Sequence, residues 1–113
     1  EFYSGAPALS ALAAFRAGVD IVRIIAPKRA ANIIASFGPD MSAYPLEGIH
    51  LADEHLPILI SMTESARASA HGKTAVVIGG GIGRSEKTQN TILEYLSQTV
   101  VPMVVDADGI YAL

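Results

Sequence analysis

Short runs of branched aliphatic residues alternate along the chain with alanine-rich stretches whose apolar positions recur every three or four residues. Pro7 to Ala17 is almost wholly small or helix-forming, with Leu9, Leu12, Ala13 and Arg16 at helical spacing. Ser4 fits an N-cap, Pro7 the first turn and Gly18 the stop. A helix this apolar on most sides is expected to be largely buried. Val19 to Ala26 reads as a β-branched strand. Pro27 opens a second helix to about Phe37, with Ala30, Ile33, Ile34 and Phe37 on one face, and Gly38-Pro39 ends it. An extended piece near Met41 to Leu46 and a loop containing Gly48 to Ala52 follow. Asp53 caps a third helix carrying Leu56, Leu59, Ile60 and Thr63 on one stripe, with Ala66 and Ala70 close to it. Pro57 argues that its start lies later, and Gly72 ends it. Thr74 to Ile78 is a continuous apolar run, which predicts a strand covered on both faces. After Gly79 to Gly83, Ser85 caps a fourth helix from about Glu86 to Gln98, with Thr88, Ile92, Tyr95 and Leu96 inward. Val100 to Val105 is the next buried strand. Alternating strands and helices imply βαβ units, hence an α/β fold with a mainly parallel sheet.

Composition narrows the class. Half of the 113 residues are hydrophobic and 17% are charged, and the mean hydropathy is +0.38. The longest uncharged run, Phe2 to Phe15, falls short of the roughly 20 residues a spanning helix needs, and it holds Ser4, Gly5, Pro7 and Ser10. It also lacks the basic start of a signal peptide. The apolar surplus is therefore expected inside a core or against a partner. A net charge of −3 argues against a nucleic-acid binder. With no cysteine, there is no thiol nucleophile, Fe–S ligation or thiolate metal site, which fits a cytoplasmic protein. No repeat or linker divides residues 1–113. Glu1-Phe2-Tyr3 and Ile110-Tyr111-Ala112-Leu113 both read as the inside of a larger domain.

In a parallel α/β sheet, ligands bind beyond the carboxyl ends of the strands. Two polar features fall there. The loop Gly79-Gly80-Gly81-Ile82-Gly83-Arg84-Ser85 can bring backbone N–H groups close to an anion, or can simply turn the chain from strand to helix. Its spacing matches neither the dinucleotide fingerprint nor a Walker loop. Arg84 beside it is the best single phosphate contact. Asp106-Ala107-Asp108 after the last strand can hold Mg²⁺ through water or bond a ligand hydroxyl. Alternatively, Asp106 bonds loop N–H groups and Asp108 caps the next helix. His50, His55 and His71 lack metal-pair spacing and suit solvated or hydrogen-bonded roles. Ser4-Gly5-Ala6 suits capping or a ligand at a helix start. Lys28-Arg29, which oppose the helix dipole, suit solvent or an anion.

Three segments, in order and at matching spacing, resemble one family. Tyr3-Ser4-Gly5-Ala6-Pro7 resembles the Y-x-G-A-P opening of the ADP/ATP-dependent NAD(P)H-hydrate dehydratases. Val77-Ile78-Gly79-Gly80-Gly81-Ile82-Gly83 resembles their strand and G-P-G-L-G loop, with Gly80 for proline and Ile82 for leucine. Pro102-Met103-Val104-Val105-Asp106-Ala107-Asp108-Gly109-Ile110 resembles their P-V-V-x-D-A-D-G/A-L. The resemblance covers essentially the whole chain. It implies a three-layer α/β/α ribokinase-like fold, of which residues 1–113 are the N-terminal portion. It also implies repair of hydrated NADH and NADPH, with ADP or ATP phosphorylating the ring hydroxyl before phosphate leaves, and Mg²⁺ assisting. By motif, Tyr3, Gly5, Ala6, Gly81, Gly83, Arg84 and Asp108 are the implied substrate-binding residues, with Asp108 near the substrate or a metal ion. The family's T-P-H-x-G-E, lysine-containing, G-N-x-G-M and G-T-G-D segments find no match here. No catalytic residue is therefore assigned, and the chain alone is expected to be inactive.

Two other readings stay open: a ribokinase-like kinase acting on a vitamin-precursor alcohol, and a non-catalytic dinucleotide-binding or oligomerisation module. The expected partners are the hydrated dinucleotide, an adenine nucleotide, the remaining C-terminal half of the domain and further copies in a homo-oligomer. Neither nucleic acid nor membrane is expected. Alone, the chain is expected to aggregate or to be held by another chain.

Overall fold

The computed structural model describes residues 4–113. They fall into two units, one ending at Leu51 and one spanning Ala52–Leu113. Each contains one parallel βαβ unit, so the α/β class and the parallel pairing read from the alternation hold.

In the first unit, α1 (Gly5–Arg16) precedes β1 (Arg23–Pro27), α2 (Lys28–Ala35) and β2 (Ser42–Leu46). β1 and β2 pair in parallel, with Ile24 opposite Ala43 and Ala26 opposite Pro45. Proline lacks a ladder donor, and a two-stranded sheet has only edge strands, so Pro45 is tolerated there. The core gathers Ala8, Ala11, Ile24, Ala26, Ala31, Ile34 and Met41. Full burial of Ile34 contributes about 1.5–3 kcal/mol.

Two expectations for this unit are corrected. The first concerns α1, which is not largely buried: Leu9 is 69% exposed, and only Ala8 and Ala11 are covered. Alanine surrounds the helix on every side, so periodicity alone could not choose the inward face. The small pair three residues apart lets the helix approach α2 and β1 closely. Ser4 stands at the N-cap without a side-chain bond. The second concerns α2, which ends before Phe37; that residue is exposed, and the buried pair is Ala31 and Ile34.

In the second unit, a short 3-10 turn (Asp53–His55) leads into α3 (Leu56–Ser69), β3 (Val76–Ile78), α4 (Glu86–Gln98), β4 (Met103–Val105) and a closing 3-10 segment (Ala107–Ala112). Pro57 explains the break after His55: it occupies the first turn of α3, where its missing N–H is not needed. α3 ends through His71 and Gly72, both at positive φ. β3 and β4 pair in parallel, Val76 to Met103 through Ile78 to Val105. β3 is not covered on both faces. Val76 and Ile78 are half-buried while Val77 is 63% exposed, and β4 alternates in the same way. An unbroken apolar run cannot reveal that only one face is packed.

α4 carries this unit's packing. Thr88, Thr91, Ile92 and Tyr95 form its buried face. Ser85 caps it, accepting the Thr88 N–H at 3.2 Å, an interaction contributing about 1 kcal/mol. The Tyr95 hydroxyl meets Thr63 Oγ1 of α3 at 2.6 Å, and Thr91 Oγ1 lies 2.9 Å from Asp53 Oδ1. Such polar pairs, the first buried and the second half-buried, fix a helix register more narrowly than apolar contact alone. α4 is thereby held against α3, the Asp53–His55 turn and the closing 3-10 segment that follows β4.

Candidate functional site

The second unit places both sequence motifs at one end of its parallel pair. β3 runs into the glycine loop, and β4 runs into Asp106-Ala107-Asp108. The two loops touch at their first residues. The Asp106 N–H donates to Ile78 O at 3.0 Å, and the Gly109 N–H donates to Asp106 O at 2.9 Å. Gly79 has φ +125, and a Cβ there would sit 1.9 Å from Asp106 O and 2.8 Å from the Gly109 nitrogen. Gly109 is reciprocally tight: a Cβ there would sit 3.0 Å from Gly79 Cα. The first glycine of the loop thus serves backbone against backbone rather than backbone against ligand.

A turn follows. The Ile82 N–H points back to Gly79 O at 3.4 Å, and Gly81 takes φ +70. Positive φ at the third position is what a type II turn requires, and its second position, held here by Gly80, is where proline fits. Gly81 lies exposed at the tip.

Beyond the turn the two motifs join. Asp108 Oδ2 accepts the Gly83 N–H at 3.0 Å, and Oδ1 accepts Arg84 Nε at 2.7 Å. The Arg84 guanidinium lies 3.6 Å from the centre of the Tyr111 ring, a cation–π arrangement. Arg84 also accepts a bond at its carbonyl from Gln89 Nε2 at 3.0 Å, which ties the loop to α4. Ala107, between the two aspartates, has φ +49. An alanine there costs about 1–2 kcal/mol, and such strain collects where a site requires it.

The electrostatics follow from these contacts. The Arg84 bond first, and then the Gly83 N–H, hold the Asp108 carboxyl below the usual carboxylate range, while the Asp108 bond raises Arg84. Both groups are therefore charged at neutral pH. Because the folded carboxyl is the more acidic, the pair's contribution is complete above the ordinary carboxylate range. It is lost as pH falls through the lowered value.

The other sequence candidates separate from this cluster. Gly5 and Ala6 open α1 in the first unit, and Tyr3 lies outside the described residues. A Cβ on Gly5 would meet nothing within 4 Å, so packing does not explain that glycine. Asp108 does not cap the closing 3-10 segment, whose N-cap is Asp106 without a side-chain bond. Asp106 bonds the neighbouring loop through its backbone, not its carboxylate. His55 is a buried core histidine whose Nδ1 accepts the Ala52 N–H at 3.0 Å. Lys28 pairs with Glu47 at 3.8 Å on the surface, a weak contact in solvent.

Among the described residues no group of three or more His, Asp or Glu side chains could hold a metal ion, and Asp108 is turned to a guanidinium. Tyr111 was missed in the sequence. It stands three residues after Asp108, but nothing linear connects it to Arg84.

Comparison with known proteins agrees with the motifs. A family model described as NAD(P)H-hydrate dehydratase matches residues 1–113. The bifunctional NAD(P)H-hydrate repair enzyme of Pyrobaculum aerophilum is 41% identical over 113 residues, covering 98% of this chain and 21% of its own length. The enzyme of the same name from Methanothermobacter thermautotrophicus is 40% identical over 111 residues, covering 96% of this chain and 20% of its own length. The ATP-dependent (S)-NAD(P)H-hydrate dehydratase of Ciona intestinalis is 34% identical over 120 residues, covering 100% of this chain and 30% of its own length. The chain thus spans about a fifth to a third of these relatives.

Proposed function

Because the chain belongs to the NAD(P)H-hydrate dehydratase family, whose fold is ribokinase-like, we propose that it supplies part of the substrate site of an ADP- or ATP-dependent enzyme that restores hydrated NADH and NADPH. The observation that carries this reading is the joining of the glycine loop to Asp108 through Gly83 and Arg84. It brings two of the three family-like segments to one place.

Dehydration by this route needs the ring hydroxyl phosphorylated and the phosphate then expelled. Phosphoryl transfer depends mainly on positioning and charge stabilisation. This chain's residues bind and orient. Arg84 offers a permanently charged guanidinium to a phosphate of the dinucleotide. Gly83 lends a backbone N–H, and Gly81 keeps the loop tip free of a side chain. Asp108 retains unused lone pairs for a ligand hydroxyl, since each carboxylate oxygen can accept more than one bond. Gly5, Ala6 and Tyr3 add substrate contacts from the head of the chain. None of these residues is assigned as the base, and no step is routed through a metal.

The same reading takes the whole protein as a cytoplasmic homo-oligomer. It is supported by the absence of cysteine and by exposed apolar side chains such as Leu9, Ile21 and Val77. No helix among the described residues is long and apolar enough to cross a membrane.

A thermal-shift comparison on the complete polypeptide tests the substrate class. Hydrated NADH is expected to raise the midpoint, while thiazole and pyrimidine alcohols leave it unchanged. The reverse pattern would select the vitamin-precursor kinase, and a response to unmodified dinucleotide alone would select a non-catalytic binding module.

A further inference from the structure

The cluster at the end of β3 and β4 already holds an anion, and that anion is the protein's own. The two oxygens of Asp108 are divided between a backbone N–H at 3.0 Å and a guanidinium nitrogen at 2.7 Å. An amide N–H beside an arginine is the donor pair that takes two oxygens of a phosphate group, and charge-assisted bonds of this kind are the strong ones. The surroundings leave room for a visitor. A Cβ built on Gly83 would meet nothing within 4 Å, and φ there is +89, so the space beside Gly83 is open. The Arg84 side chain is 54% exposed. Tyr111 lies against its guanidinium, 3.6 Å from carbon to ring centre. The carboxylate is 22% exposed, so it can leave without unpacking a core.

We infer that the Gly83 N–H and the Arg84 guanidinium form a cradle for a phosphate or pyrophosphate group, and that the Asp108 carboxylate is its built-in competitor. An arriving phosphoryl oxygen takes the donors from Asp108. The released carboxylate is then free to accept a hydroxyl of the same ligand. Ligand-free protein thereby avoids an unpaired donor pair and binds stray anions weakly. A ligand offering both a phosphate and a hydroxyl gains both contacts at once. This extends the proposed substrate site, and it rests on that reading only for which molecule brings the phosphate.

Inorganic pyrophosphate tests the cradle without calling on turnover. The complete polypeptide is titrated by calorimetry as wild type, Asp108→Asn, Asp106→Asn and Arg84→Ala. Asp108→Asn removes the competing charge and is expected to tighten binding about tenfold, while Arg84→Ala is expected to weaken it below the wild type. Asp106→Asn removes an equal charge two residues away, outside the cradle, and is expected to change little. In the wild type, the Asp108 side-chain carboxyl resonance is expected to move as pyrophosphate saturates, a readout that needs no variant to fold. Equal tightening by Asp106→Asn and Asp108→Asn would reduce the effect to general electrostatics and overturn the proposal. So would an Asp108 resonance that stays put at saturation. If the cradle pattern appears and hydrated NADH is not repaired, only the dehydratase reading fails. If repair occurs and pyrophosphate leaves Asp108 undisturbed, only the cradle fails.

Discussion

Gly79→Ala is expected to lower stability by about 3 kcal/mol or more, the range reached when backbone strain and overpacking coincide. The added methyl would lie 1.9 Å from Asp106 O and 2.8 Å from the Gly109 nitrogen, and both of these are backbone atoms. No rotamer change relieves such a clash. To make room, the β4 loop must withdraw, which breaks the bond from Asp106 N–H to Ile78 O. The positive φ of +125 adds its own cost for any residue with a side chain. Gly83→Ala provides the internal control. It too has positive φ, but its would-be Cβ meets open space, so only about 1–2 kcal/mol of backbone strain is expected. Denaturant midpoints at unchanged slope read the difference. Equal midpoints for the two variants would show that the two loops do not approach as described.

Arg84→Ala is expected to raise the KM for hydrated NADH by about tenfold to a hundredfold, the range for loss of a charge-assisted bond, with a smaller change in kcat. The substitution removes the guanidinium and leaves Asp108 bonded only to the Gly83 N–H. Arg84→Lys keeps the charge but not the planar fork, nor its stacking on Tyr111, so it is expected to recover only part of the loss. A KM unchanged in both variants would remove Arg84 from the substrate site.

The sequence was most informative where a side chain signals its own local role. Ser85 announced the start of α4, and the structure returns Glu86–Gln98 as expected, with Thr88, Ile92 and Tyr95 inward. Pro57 announced that α3 begins after Asp53. Apolar runs were less exact guides. Val19 to Ala26 and Val100 to Val105 are longer than the ladders Arg23–Pro27 and Met103–Val105. Hydrophobicity marks what wants cover, whereas a ladder ends where its partner strand ends. α1 misled because a face defined by alanine carries almost no periodic contrast.

The glycines show the same limit at the site. In the sequence Gly79, Gly81 and Gly83 are alike. In the structure one is fixed by a backbone approach, one by a turn, and one stands beside open space with its N–H committed to Asp108. Nothing linear separates these three causes, because each arises from a residue distant in sequence. Asp108 could be read as a cap or as a ligand contact. Its pairing with Arg84, 24 positions away, is a tertiary fact that neither reading contained. The resemblance names both Arg84 and Asp108, and the structure brings the two side chains into contact.

On the proposed reading, this chain contributes the substrate-binding part of a nicotinamide-repair enzyme. The most direct measurement is the conversion of hydrated NADH to NADH by the complete polypeptide, followed by the return of reduced-nicotinamide absorbance, with ATP and ADP supplied separately. Nucleotide-dependent recovery of NADH is expected with at least one of the two, accompanied by release of phosphate. Absence of recovery with either nucleotide, from folded full-length protein, would contradict it.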